Sequence, residues 1–422
     1  MVRRRREVTD EDFYSLRVVR VWKHFKSQSF AFWMVCGYLF FEYVRPQSLY
    51  PAIDFIPWTQ LTVIGAILGC FIDKTVTWVS SPANKLLILL FFIILISSYF
   101  AYFPDVSFRN LENYYLWVVI YFVIINIVNT KQRFFIFLSV FLLASFKLSL
   151  PLAIVWAKRG FSFTDWGLMG PPGFFQNSGE LAIQMLVFWP ISLAFCYAVK
   201  KYVSNTTFLI LTIMPITAIM VVLGASSRGA QLALTVQIVL LNHRRIFNPK
   251  VVIAATVALA LVWTFIPDEQ KQRFSSIGED RTSQQRLLYW ENGFEMIKEN
   301  PILGVGFFNF PSYFEKYYPE DKLFEYAELP HNIFIQVGTD AGILGLGVLL
   351  IFLAFLYKSS VVKNYENDFL RIILKYMNVS LIGYIVAGQF VTVAYYPFLW
   401  IHAALVVSMV NIISKEDARS AK

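Results

Sequence analysis

The chain has 422 residues, 57% of them hydrophobic and 15% charged, with a formal net charge of +9. Soluble globular chains carry about 25% charged and roughly 45–50% apolar residues; disordered, collagenous and disulfide-scaffold classes are therefore excluded, and an ordinary soluble enzyme nearly so. The apolar residues come in blocks long enough to cross a bilayer, so the fold class expected is all-α and polytopic.

Residues 1–28 are polar, include Arg3-Arg4-Arg5-Arg6, and lack the apolar core and small-residue cleavage site of a signal peptide. They read as a cytoplasmic tail. A bilayer core needs about 20 apolar residues per helix, and on that measure spans are expected near 29–44, 56–72, 86–103, 112–128, 134–157, 181–199, 207–224, 229–243, 250–267, 332–357, 370–392 and 396–413. Nine of these twelve fill residues 29–267 and three fill 332–413, with a polar segment at 268–331 between them and a short tail at 414–422. The three cysteines, Cys36, Cys70 and Cys196, each fall inside an apolar block, which leaves no disulfide framework and no cysteine metal motif.

The basic residues orient the bundle. With the N-terminus inside, 24 of the 37 Lys and Arg lie on inner segments; seven of the other 13 lie in the single long segment 268–331, and long loops cross the membrane largely regardless of charge. The positive balance is thus a topology signal and gives no ground for nucleic-acid binding. Both termini are expected in the cytoplasm, and residues 268–331 are expected as a large, partly helical loop on the outer side of the membrane. That loop has 12 acidic and 7 basic residues, and loops of such length in compact bundles are usually functional. Thr282 followed by Gln285 predicts a capping box. Leu287, Trp290, Phe294 and Ile297 predict one buried stripe, and Asn300-Pro301 predicts the helix stop.

Three groups on the outer level have chemical potential. Gly224-Ala225-Ser226-Ser227-Arg228-Gly229-Ala230 forms a tight turn between two apolar runs, whose small residues permit close backbone approach. Arg228 there is either a snorkelling anchor of the hairpin or a preset anion receptor. Arg286 stands four residues before Trp290 on one helix face, where a guanidinium requires a carboxylate or a phosphate as partner. His331, in Pro330-His331-Asn332, is the single histidine expected at the outer end of a span; it is either a helix-end residue or a general base. Two guanidiniums and an imidazole at one level suit the holding of a diphosphate and the deprotonation of a hydroxyl. Arg45 and the loop around Asn177 are further candidates for substrate contact. The first outer loop offers only Asp54 as an acidic residue, so a metal-free site needing no cofactor is expected.

The series Ser227-Arg228-Gly229-Ala230, Arg286 with Trp290, Asn300-Pro301-Ile302-Leu303-Gly304-Val305-Gly306 and His331-Asn332 resembles the O-antigen ligase and polymerase superfamily. Phe41-Glu42-Tyr43-Val44-Arg45-Pro46-Gln47 is similar to an N-terminal stretch of some members. The resemblance implies an inverting, metal-independent GT-C-type membrane glycosyltransferase acting on the periplasmic face. Its donor would be a glycan on undecaprenyl diphosphate, and its acceptor a hydroxyl of lipid A–core sugar or of a protein. Arg228 and Arg286 would hold the diphosphate and His331 would act as base, with Arg45, Asn177, Trp290 and Asn332 as further contacts. Polymerisation onto a lipid-linked glycan uses the same chemistry and is the alternative within the superfamily. A twelve-helix secondary transporter is the alternative of another class; Lys147 within an expected span is the feature that most favours it, with Glu180 and Asp340 as further exceptions to the clustering of polar residues at one face.

Overall fold

The computed structural model describes residues 9–162, 164, 166–243, 248, 280–361 and 368–420. Every regular element among these residues is helical. In chain order the principal helices are α1 (Phe30–Tyr43), α2 (Trp58–Ile72), α3 (Pro82–Tyr99), α4 (Glu112–Ile127), α5 (Lys131–Lys158), α6 (Ser178–Val199), α7 (Asn205–Gly224), α8 (Arg228–Asn242), α9 (Arg281–Glu299), α10 (Phe310–Tyr317), α11 (Ile333–Ser359), α12 (Phe369–Ala387) and α13 (Pro397–Ser420). Eight helices among the described residues are long and apolar enough to cross a membrane, and α1 and α2 are shorter apolar helices. Eleven of the twelve expected spans coincide with helices; the twelfth, 250–267, lies outside the described residues.

The centre of the bundle is α6, 89% of whose apolar window is buried. Beside it, one buried amide is satisfied wholly by other protein groups, as a hydrocarbon surround demands. Gln237 of α8 accepts from Trp189 Nε1 at 2.6 Å and donates to the carbonyls of Leu186 and Val379, both at 2.9 Å. Gly383 on α12 leaves the room this amide needs, since a side chain there would collide with it. One residue thereby ties three helices together.

Two expected spans are interrupted, and both interruptions are occupied by protein. α12 ends at Ala387, and residues 388–396 run on as irregular backbone where the sequence predicts a span to 392. Phe390, Val391, Val393 and Ala394 give that run its apolar reading, but hydropathy does not register backbone satisfaction. The Gly388 carbonyl accepts from the Ile333 N–H at 2.9 Å, the Val393 carbonyl from Tyr384 Oη at 3.0 Å and the Tyr395 carbonyl from Trp117 Nε1 at 2.8 Å. The second break is at Gly342 in α11, where φ is 65°. The turn Asn300–Gly306 plugs this gap: the Val305 N–H donates to Thr339 O and the Ile343 N–H to Pro301 O, both at 2.7 Å. Ser97 of α3 donates to both Leu303 O and Asp340 O, at 2.8 and 2.5 Å, and Asp340 Oδ1 accepts from the Phe308 N–H at 2.9 Å. Side chains at Gly304 or Gly342 would strike the opposing backbone. Asp340 is therefore a strut in this joint.

The loop segment 280–331 carries a small core of its own, formed by Tyr289, Met296, Val305, Phe310, Tyr313 and Phe314. Its helix α9 corrects two expectations. The cap is Asp280, whose carboxylate accepts from the Ser283 N–H at 3.0 Å and Ser283 Oγ at 2.7 Å, so Thr282 falls inside the helix. The buried face is Gln285, Tyr289, Asn292, Gly293, Met296 and Ile297, while Leu287 and Phe294 are more than half exposed. Apolarity mispredicts this face because Gln285 and Asn292 are buried by hydrogen bonding: Gln285 Nε2 donates to Asp321 O at 3.1 Å and Asn292 Nδ2 to Asp321 Oδ2 at 2.8 Å. Gly293 and Gly338 allow the close docking of α9 on α11.

Candidate functional site

The turn between α7 and α8 places Arg228. Leu168 N–H donates to Gly224 O at 3.0 Å, Ser226 turns the chain at φ 56°, and Ser227 Oγ caps α8 by accepting from the Ala230 N–H at 3.4 Å. Arg228 is the first residue of α8, and its Nη2 donates to Asp280 Oδ2 at 2.9 Å and Ser283 Oγ at 3.2 Å. Two elements distant in sequence, the hairpin turn and the loop helix, are thereby joined through one guanidinium.

Arg286 stands one turn further along α9. Its Nε is buried and has no hydrogen-bond partner among the described residues. Burial, followed by the charge of Arg228, depresses its pKa, and Asp280 and Glu328 offset this in part. Two guanidiniums therefore lie within each other's field, one of them lacking a partner for a buried donor. Such an arrangement is costly without an anion. Burial works against ionisation of Asp280, but hydrogen bonds from Ser283 and Arg228 prevail and hold its pKa at about 2.

His331 is held from three sides. Its backbone is left-handed, with φ 52°, an uncommon state for a non-glycine residue. Thr392 Oγ1 accepts from the His331 N–H at 2.8 Å, and Trp290 Nε1 donates to the preceding Pro330 carbonyl at 2.9 Å. The ring Nε2 meets Glu328 Oε2 at 2.9 Å. The His331 hydrogen bond is the leading cause that lowers the Glu328 pKa, so Glu328 is a carboxylate near neutrality and Nε2 carries the proton. In the neutral imidazole Nδ1 is then the basic nitrogen. Asn332 caps α11, accepting from the Phe334 and Ile335 N–H groups at 2.9 and 3.3 Å, and donates to Gln389 Oε1 at 3.3 Å.

The irregular segment 388–396 is the common wall. Phe390 packs 6.2 Å from the Trp290 ring and fills the space beside Gly229; Val391 touches Gly179. Phe390, Thr392 and Gln389 of this segment thus meet Trp290, His331 and Asn332, and Phe390 lies beside Gly229, the neighbour of Arg228; Arg286 joins the group through the field of Glu328. Asn177 caps α6, its Oδ1 accepting from the Gly179 N–H at 2.9 Å. Glu180, one turn into α6, accepts from Tyr396 at 2.7 Å. Arg45 joins none of these and bonds instead to the Pro172 carbonyl.

Sequence reasoning missed Asp280, Glu328 and the whole of Gly388–Tyr396. The signal for the last was present: a glycine, Gln389, Thr392 and paired tyrosines directly before Pro397 interrupt an otherwise apolar run. Asp280 was legible as one of several acids before the helix; only its pairing with Arg228 singles it out.

The fold and site define an integral, all-helical membrane protein with a paired-guanidinium and imidazole centre at one end of the bundle. Residues 213–350 match the family model described as O-antigen ligase, and the match supports the O-antigen ligase/polymerase superfamily for this protein. The matched segment runs from α7 into α11 and contains Arg228, Arg286, Trp290, His331 and Asn332. That family is associated with glycosyltransferase-like ligase or polymerase activity. No curated protein matches the chain.

Proposed function

We propose that this protein is an inverting membrane glycosyltransferase of the ligase type, using a glycan linked to undecaprenyl diphosphate. Arg228 and Arg286 hold the diphosphate. His331 Nδ1 takes the proton of an acceptor hydroxyl, on lipid A–core sugar or protein, as its oxygen attacks the anomeric carbon. The bond from that carbon to the diphosphate breaks, and the electron pair leaves with the diphosphate, whose growing charge the two guanidiniums stabilise. One displacement inverts the anomeric centre. The charge distribution of the short loops supports the periplasmic side of the inner membrane as the setting of this chemistry.

The observation that carries this reading is the buried Nε of Arg286, without a hydrogen-bond partner among the described residues, within the field of Arg228. The guanidiniums supply the positive charge, so no metal enters the reaction. The test is transfer from a polyprenyl-diphosphate glycan by the purified protein in detergent. His331→Ala is expected to abolish product while donor binding persists, and Arg228→Ala with Arg286→Ala to abolish binding. Full transfer by His331→Ala would overturn the base assignment. Movement of the lipid-linked glycan across vesicles without any transfer would overturn the enzymatic reading.

A further inference from the structure

Arg45 and Lys147 are two cations that make no hydrogen bond or ion pair with Arg228, Arg286 or His331 among the described residues. α1 and α5 start at one level, because Arg133 donates to Gln28 Oε1 at 2.8 Å and to Ser29 Oγ at 3.2 Å. At 1.5 Å per residue, Arg45 and Lys147 then both stand about 21–24 Å further along, near one boundary of a hydrocarbon core about 30 Å thick. They meet there. Lys147 Nζ donates to Val44 O at 3.2 Å, and Arg45 donates to Pro172 O beside Gly173, where any side chain would collide with the guanidinium. Arg45 adopts a left-handed backbone, φ 49°, in reaching this position.

Both cations are bonded to neutral carbonyls, and neither has an ion pair among the described residues. Glu42, the acid whose field Arg45 feels, is buried one turn back in α1. Below the cations the surface turns apolar. Leu143, one turn before Lys147 on the same face of α5, is 63% exposed, and Phe40 of α1 is 42% exposed. Two cations above an exposed apolar surface between packed helices fit an amphiphile with an anionic head.

We propose that Arg45 and Lys147 bind the phosphate of a membrane lipid, its chains lying over Phe40 and Leu143. The chemistry required is a phosphate ester on a long hydrocarbon, met either by a bulk phospholipid or by a polyprenyl phosphate. The test is run in an Arg228→Ala/Arg286→Ala background, which removes the proposed diphosphate contacts. Failure here would leave the glycosyl-transfer reading untouched. Protein in mild detergent is titrated with phosphatidylglycerol, undecaprenyl phosphate or diacylglycerol, and bound lipid is read by native mass spectrometry.

One of the two phosphate lipids is expected to bind with one-to-one stoichiometry and diacylglycerol not to bind; which phosphate lipid binds identifies the source. Adding Arg45→Ala and Lys147→Ala is expected to weaken binding about thirty-fold, from about a factor of five per basic residue at an anionic lipid surface. Arg45→Lys with Lys147→Arg is expected to retain it. Equal binding by the double alanine variant, or binding of diacylglycerol as tight as that of the phosphate lipids, would overturn the proposal. Where the double variant fails to fold, Lys147→Gln alone is expected to weaken binding about five-fold, and unchanged binding by it overturns the proposal equally.

Discussion

Asp280 has two roles that one substitution separates. It caps α9, and it neutralises Arg228 at 2.9 Å. Asparagine and aspartate cap helices about equally well, so Asp280→Asn keeps the cap through Oδ1 and removes the charge and the Oδ2 acceptor that pair with Arg228. Arg228 and Asp280 side chains are 34% and 31% exposed, which places their pairing at about 0.2–1 kcal/mol after solvent screening. If an incoming diphosphate must displace Asp280 from Arg228, its removal lowers the donor KM by up to about five-fold. The Asp280 pKa is depressed, so the stabilisation from its ionised form is present above its ordinary value of 3.8 and is lost as pH falls towards about 2. The effect of the substitution is therefore constant across roughly pH 5–9. Asp280→Ala loses the cap as well, at about 1 kcal/mol, and melts earlier. Initial rates of transfer against donor concentration, with inorganic pyrophosphate as competitor, give the answer. An unchanged or raised KM in a normally folded Asp280→Asn protein would refute the assignment of Arg228 to the diphosphate.

Gly342→Ala is expected to destabilise the detergent-solubilised protein by at least about 1–2 kcal/mol, the cost of a left-handed non-glycine residue, while Gly347→Ala on the same helix, with open space around it, leaves thermal stability unchanged or raised. Equal melting of the two variants would contradict the plugged-helix joint. Thr392→Val removes the acceptor of the His331 N–H, and kcat is expected to fall about ten-fold with little change in KM; Thr392→Ser restores it. Glu328→Gln removes the carboxylate that accepts from His331 Nε2 at 2.9 Å, so kcat is expected to fall with little change in KM; an unchanged kcat counts against the pairing. Transfer is expected to survive a strong chelator, and loss reversed by added Mg²⁺ or Mn²⁺ would count against charge stabilisation by guanidiniums alone.

The helices and their order were legible because each is a block of apolar residues, and blocks survive without knowledge of neighbours. Arg228, Arg286, Trp290 and His331 were legible because polar residues stand out at the rim of such blocks. The break at Gly342 was not, since its neighbours are apolar and what satisfies it is a turn some forty residues earlier. The same holds for residues 388–396, where carbonyls are met by Tyr384, Trp117 and the Ile333 N–H. Arg45 was legible by type and level, whereas its hydrogen bond to the Pro172 carbonyl, 127 residues further on, was not.

The plug in α11 also sets an order of assembly. Ser97 reaches Leu303 and Asp340 across 206 and 243 residues of chain, and such distant closures are slow to form. As the chain is made, α3 must wait with an unbonded hydroxyl until both the loop turn and α11 arrive. The loop turn in turn finds no stable seat before the gap at Gly342 exists. The loop helix with Asp280 and Arg286, and the residues leading to His331, therefore become fixed only after α11 is in place. A chain truncated within α11 would hold most of its apolar helices yet leave the Asn300–Gly306 turn unanchored, exposing an incompletely made protein to proteolysis at the loop.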